Sequence, residues 1–262
     1  MTLYLDNACP GWLLAVGMVV ACVAFAIAAT WAGRRAIQGR VRPGHNDVGG
    51  MILQIVGSVY AVLLALVVIA LWEQRSAIEE CTASEASFLT AMYRDVGGLP
   101  PEFSGPARAK IQEYTHAVIE VSYPALRLGK PSEAGRVTYG EMFETIRSFE
   151  PKTSRDQALW TEVLRELNQS SEARTKRLAS VRGGLPAVFW VVLLISTGLT
   201  LALGGLLSME SARHHYTFMI AFAASTGVLL FLVLVLDRPF SGDFRVTPDA
   251  YEEALEAMRY AH

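Results

Sequence analysis

The stretch Met51–Trp72, MILQIVGSVYAVLLALVVIALW, contains no Lys, Arg, Asp or Glu along its whole length. A helix rises about 1.5 Å per residue and a hydrocarbon core is about 30 Å thick, so this run can cross a bilayer. Core helices of soluble proteins are usually shorter and keep a polar stripe. Three other runs are equally free of charge: Trp12–Trp31, Pro186–Leu207 and Tyr216–Leu236. They form two pairs around a polar middle. The fold expected is all-α, with four transmembrane helices in two hairpins flanking a helical extramembrane bundle.

That reading divides the chain as follows. Residues 1–32 hold the N-terminus and first span, 33–50 a basic loop, and 51–72 the second span. The bundle occupies 73–185. The third span covers 186–207, a short loop 208–215 and the fourth span 216–236; the tail, 237–262, carries a short amphipathic helix. The first run is expected to be retained, because no Lys or Arg precedes it and a cleaved signal has a basic start and a shorter apolar stretch.

Composition narrows the class. Apolar residues are 52% of the chain and charged ones 18%, far from a disordered or nucleic-acid-binding profile. A net charge of -2 gives no reason to expect a polyanion. Cys9, Cys22 and Cys81 are odd in number and lack any CxxC spacing, so neither a disulfide framework nor a metal site is expected.

Within the polar middle, the second-span helix should run on through Glu73-Gln74-Arg75 to about Asp95. Ile78, Cys81, Phe88, Leu89 and Met92 keep a helical spacing there, and Gly97-Gly98-Leu99-Pro100-Pro101 stops it. The pattern predicts further helices over Pro106–Leu128, with Ile111, Tyr114, Val118 and Val121 on one face, and over Glu133–Phe149. Another starts at an N-cap, Ser154 or Asp156, and reaches Arg182; the tail helix covers Pro248–Tyr260.

Trp12, Trp31, Trp72 and Trp190 lie near span ends, as an interfacial belt requires. Charge does not fix orientation. Arg34, Arg35, Arg40 and Arg42 argue for a cytoplasmic first loop, whereas Arg174, Lys176, Arg177, Arg182, Arg238 and Arg245 weigh on the other side. Inside the spans the polar groups are Gln54, Ser58, Tyr60, Ser196, Thr197, Thr200, Ser225 and Thr226. Hydroxyls can bond their own backbone, and Gln54 suits an interhelical link. The absence of intramembrane charge disfavours proton relays and ion-coupled transport. Small residues recur four apart, at Gly17/Ala21, Ala24/Ala28, Gly198/Ala202 and Ala223/Gly227, a spacing that permits close helix approach.

Enzyme signatures are absent: no P-loop, GxSxG, HExxH or Gly-rich dinucleotide fingerprint is present. No catalytic residue, cofactor or metal site is expected. His214-His215 reads as solvated or headgroup-facing, and Glu79, Glu80 and Glu85 as either a solvated helix face or an acidic ring in an oligomer.

Several segments resemble a known family. They are Gly57-Ser58-Val59-Tyr60-Ala61-Val62-Leu63-Leu64-Ala65 closing on Trp72-Glu73-Gln74, then Glu85-Ala86, Tyr93-Arg94, Ala173-Arg174 with Arg177-Leu178, and Leu236-Asp237-Arg238-Pro239-Phe240-Ser241-Gly242. In that order they are similar to a bacterial membrane family of unknown function called bestrophin-like (the DUF4239 group). The name implies likeness to bestrophins, pentameric anion channels whose second span lines the pore. The resemblance therefore implies a homo-oligomer, with five subunits as in that family, in the inner membrane, with bundle and termini cytoplasmic. It further implies Ser58, Leu64 and Val68 as pore-wall positions. The membrane-edge turn Asp237, Arg238, Pro239 and Phe240 is expected to anchor span four, with Arg238 reaching headgroups or an acid. The aromatic constriction and calcium clasp of animal bestrophins have no counterpart, so calcium gating and anion selectivity do not carry over. Two functions remain open: an oligomeric ion channel, and a non-catalytic membrane scaffold or sensor whose bundle binds a partner.

Overall fold

The computed structural model describes residues 11–37, 45–180, 184–242 and 244–260. Cys9, Arg40, Arg42 and Arg182 lie outside the described residues. Nine α-helices are described: α1 (Gly11–Ile37), α2 (His45–Val96), α3 (Pro101–Ala117), α4 (Tyr123–Arg127), α5 (Glu133–Arg147), α6 (Ser154–Ser180), α7 (Ala187–Gly205), α8 (Ala212–Leu236) and α9 (Asp249–Tyr260). A single π-turn, Val118–Ser122, joins α3 to α4, and no strand is found among the described residues. α1, α2, α7 and α8 are each long and apolar enough to cross a membrane. The chain divides into two compact units.

The first unit contains residues 1–73 and 185–238. Lipid tails are as apolar as leucine, so burial alone does not hold such helices together; close packing does. The helices meet where side chains are smallest. A Cβ added to Gly227 of α8 would lie 2.7 Å from the Val19 Cα of α1, and one on Gly205 of α7 would lie 2.7 Å from the Ala29 carbonyl carbon. Ala223 was among the small residues picked out by spacing and is fully buried beside Gly227, whereas Gly17 has nothing within 4 Å of its would-be Cβ. Leu64, Val67 and Leu71 of α2 join Leu193, Leu201, Leu230 and Val233 in the core of this unit.

Polar groups in the spans are satisfied locally. Thr30, Thr200, Ser225 and Thr226 each donate to the carbonyl four residues back, at 2.7–3.0 Å. One link between helices is Thr197 Oγ1 donating to Tyr60 Oη at 2.9 Å; Gln54, by contrast, is exposed. At the loop end of the unit, Asn46 clamps Ser208 by two bonds (2.5 and 2.8 Å), and Arg34 donates to the Met209 carbonyl at 3.3 Å. His214 is exposed as expected. His215 is not: it is buried in the first turn of α8, with Nε2 3.2 Å from the Gly204 carbonyl oxygen.

The second unit, residues 74–184 and 239–262, is the bundle. Its core draws Ile78, Leu89 and Met92 from α2, Ile111 and Tyr114 from α3, Met142 and Ile146 from α5, Trp160, Val163 and Leu167 from α6, and Tyr251, Leu255 and Met258 from α9. Helix α2 is unbroken from His45 to Val96 and ends at the Gly97-Gly98 pair. Helix α6 is capped one residue earlier than expected. Thr153 Oγ1 accepts from the Asp156 backbone N–H while the Asp156 carboxylate accepts from Thr153, a reciprocal capping box. The expected helix 106–128 is interrupted, because the N–H of Tyr123 bonds the Val118 carbonyl five residues back. Pro124 supplies the reason: it has no N–H for the Glu120 carbonyl, and a tight α-turn there would clash with its ring.

Candidate functional site

Two features concentrate chemistry and shape: a buried ion pair in the bundle and the outward face of α2. The first joins Glu85 of α2 to Arg177 of α6. Arg177 Nε donates to Glu85 Oε2 at 2.9 Å and Nη2 to Oε1 at 3.2 Å, the two-point geometry that suits a guanidinium to a carboxylate. Both side chains are enclosed, Glu85 at 0% and Arg177 at 1% exposure. Tyr114 of α3 completes the carboxylate, its hydroxyl donating to Glu85 Oε1 at 2.5 Å. The Tyr123 and Tyr251 rings stand 5.8 and 5.6 Å from the guanidinium carbon, within cation–π reach.

The local sequence explains how five helices converge there. Glu85 follows Ile78 and Cys81 on the inward stripe of α2, and Arg177 continues the buried stripe Trp160, Val163, Leu167 and Ser170 of α6. Tyr114 and Tyr123 are nine residues apart and would point oppositely on a regular helix. The extra residue of the π-turn removes roughly 100° of rotation and turns both toward the pair. Gly135 of α5 leaves room for that wide turn, since a Cβ there would overlap Ser122 Oγ.

Electrostatics follow from enclosure. Burial, reinforced by the Glu85 charge, holds the Tyr114 and Tyr251 hydroxyls well above their ordinary range, and burial pushes Tyr123 up to about 12. Burial opposes the charge on Arg177, but Glu85, Tyr251 and Tyr114 together outweigh it and keep the guanidinium ionised. No water-facing nucleophile or base belongs to the cluster, so its chemistry is that of an internal tie. Glu85 is therefore not part of an exposed acidic ring. Glu79 and Glu80 are exposed, and Glu79 pairs with Arg75 at 3.0 Å.

The second feature is a stripe on α2. Ile52, Ile55, Val59, Val62, Leu66 and Ile69 step by alternating three and four residues, and all are exposed. Of the three expected wall positions, Ser58 is exposed beside this stripe and Val68 is half-buried. Leu64 is 5% exposed and packs into the core of its own unit, so it faces neighbouring helices of the chain.

At the membrane-edge turn one carboxylate does the joining. Asp237, at the end of α8, accepts from the Leu185 N–H and, through Oδ2, from Trp190 Nε1 at 3.2 Å. It thus fixes the start of α7 as well as the end of α8. Arg238 is half-buried and burial lowers its pKa; Pro239 is buried, and its carbonyl accepts from Val246 N–H at 2.7 Å. Phe240 is buried in the bundle core, 6.2 Å edge-on from the Tyr123 ring. Among the described residues no cluster of His, Cys, Asp and Glu could hold a metal.

A family profile described as a bestrophin-like domain matches residues 20–251. The chain belongs to the bestrophin-like family. Solved structures agree in fold. A crystal structure of a variant bacterial bestrophin homologue from Klebsiella pneumoniae aligns with TM-score 0.72 at 11% identity, covering 94% of this chain and 99% of that one. A second variant of the same homologue gives 0.70 at 12% identity, with 94% and 98% covered. A further crystal structure, described as a membrane protein, gives 0.70 at 9% identity over 94% and 98%. No curated protein matches the sequence. This bestrophin-like chain is thus an all-α membrane protein with the layout of bacterial bestrophin homologues.

Sequence patterning held one signal that spacing alone did not convert into a contact. Glu85 and Arg177 are opposite charges that each interrupt an apolar stripe, and such interruptions pair when both stripes face one core.

Proposed function

We propose that this bestrophin-like chain is one subunit of an oligomeric ion channel, with α2 lining the pore. The observation that carries the reading is the exposed aliphatic stripe Ile52–Ile69 on an unbroken 52-residue helix. Side chains at three- and four-residue steps form one continuous surface, and a ring of such surfaces encloses a narrow apolar passage able to gate by dewetting. Ser58 borders that surface; Val68 and Leu64 lie on the opposite side of α2, against the core of the membrane unit. Family membership supports the same reading, with five copies, the inner membrane, and bundle and termini in the cytoplasm. On this reading the chain works as a channel and not as a catalyst, and the buried Glu85–Arg177 cluster serves as an internal tie.

Purified protein reconstituted in planar bilayers, with its mass measured in detergent, tests this. A closed ring of several subunits with unitary conductance is expected. A monomer without conductance overturns the channel and leaves the second function, a scaffold whose bundle binds a partner.

A further inference from the structure

Glu166 lies one helical stretch from the buried ion pair and has no such partner. It is 4% exposed on α6, and its Oε2 is buried without a hydrogen bond. The charged groups that face it come from two helices: Arg94 and Asp95 of α2, and Glu162 and Arg165 of α6 itself. Both arginines are already committed. Arg165 pairs with Glu162, and Arg94 donates to Asp95 Oδ1 at 3.3 Å. What remains for Glu166 is the carboxylate of Asp95, itself partly shielded with 21% of its side chain exposed. One turn further along the same helix, Gln169 Oε1 and Ser170 Oγ are also buried without a bond. Enclosure beside the like charge of Asp95, with both facing arginines already paired elsewhere, is an environment a neutral carboxyl tolerates better than a carboxylate.

We propose that Glu166 is a proton-binding site whose ionisation loosens the packing of α6 on the end of α2. The protonated acid sits in the closed bundle; the anion calls for water or a cation, which this end of α6 must open to admit. Burial, followed by the charge of Asp95, raises the carboxyl to about 7, so the transition falls near neutral pH. The sign follows from the direction of that shift. A carboxyl raised on folding contributes most stability below the range of a free carboxylate and loses it as pH climbs through about 7. This device is independent of conduction, and its test uses stability and exchange.

Thermal unfolding of the full chain in detergent, from about pH 5.5 to about pH 8.5, is compared with that of Glu166→Gln. The midpoint of the unsubstituted chain is expected to fall, relative to the variant, by on the order of 5 °C across that range. Parallel curves overturn the proposal. Should Glu166→Gln not fold, Asp95→Asn serves: removing that charge moves the fall to lower pH, and an unmoved fall overturns it. Hydrogen exchange adds a local reading. After correction for intrinsic rates, amides of residues 159–170 lose protection above neutral pH more than those of α5; equal protection counts against the site.

Discussion

Arg177 is among the largest fully enclosed side chains of the molecule, and its removal alone leaves Glu85 as an unpaired anion. Breaking a buried pair from one side costs about 3–5 kcal/mol, whereas replacing both members by apolar residues of similar volume is often near neutral. Arg177→Met should therefore lose stability by about that amount, and Glu85→Leu with Arg177→Met should regain most of it. Denaturant unfolding in detergent measures both; a double variant as weak as the single one would assign the loss to shape, not charge. Each charge was legible as an interruption of an apolar stripe. Their pairing was not, because 92 residues separate them and periodicity describes one helix at a time. His215 shows the same limit. Its neighbour His214 is exposed, and only the packing of the α8 first turn distinguishes the two.

Helices α1, α7 and α8 test how far small residues control an element. Gly227→Leu would drive a side chain into the backbone at Val19 and should cost about 1–3 kcal/mol or more, while Gly17→Ala, with open space around it, should stay within about 0.5 kcal/mol. Melting of the two variants side by side checks this. The four-residue spacing in the sequence marked Gly227 correctly as a close approach but could not separate it from Gly17, since spacing does not say which face meets a neighbour. The π-turn offers a second test. Inserting one alanine beside Val121, which is exposed, would add about 100° of rotation and swing Tyr123 away from Arg177. A loss of about 3 kcal/mol is expected, against less than about 1 kcal/mol for Val121→Ala. Pro124 was the readable warning inside the expected helix 106–128. It predicts a disturbance, but whether the chain kinks, stops or widens depends on what Gly135 leaves room for.

At the scale of the molecule, four uncharged runs and a polar middle were enough to read an all-α membrane protein, because lipid leaves few options for a backbone without water. Which surface of α2 would line the proposed pore was less accessible. Leu64 and Ile69 are equally apolar, and only packing within the membrane unit puts the first inside its core and leaves the second exposed. On the proposed channel reading, Leu66→Ser is expected to raise single-channel conductance several-fold by wetting the aliphatic stripe, with Leu64→Ser instead lowering stability. Recordings in which both variants conduct like the parent would remove the stripe from the permeation path.

Arg34 and Met209, which bond across the loop end of the membrane unit, are 175 residues apart. At roughly 5–20 residues per second of synthesis, the first hairpin waits on the order of 10–35 s before its helical neighbours are made. During that interval α1 meets only lipid along the grooves that Gly205 and Gly227 will later fill. A nascent membrane protein built this way offers quality-control factors a defined window, closing only as the last span leaves the ribosome.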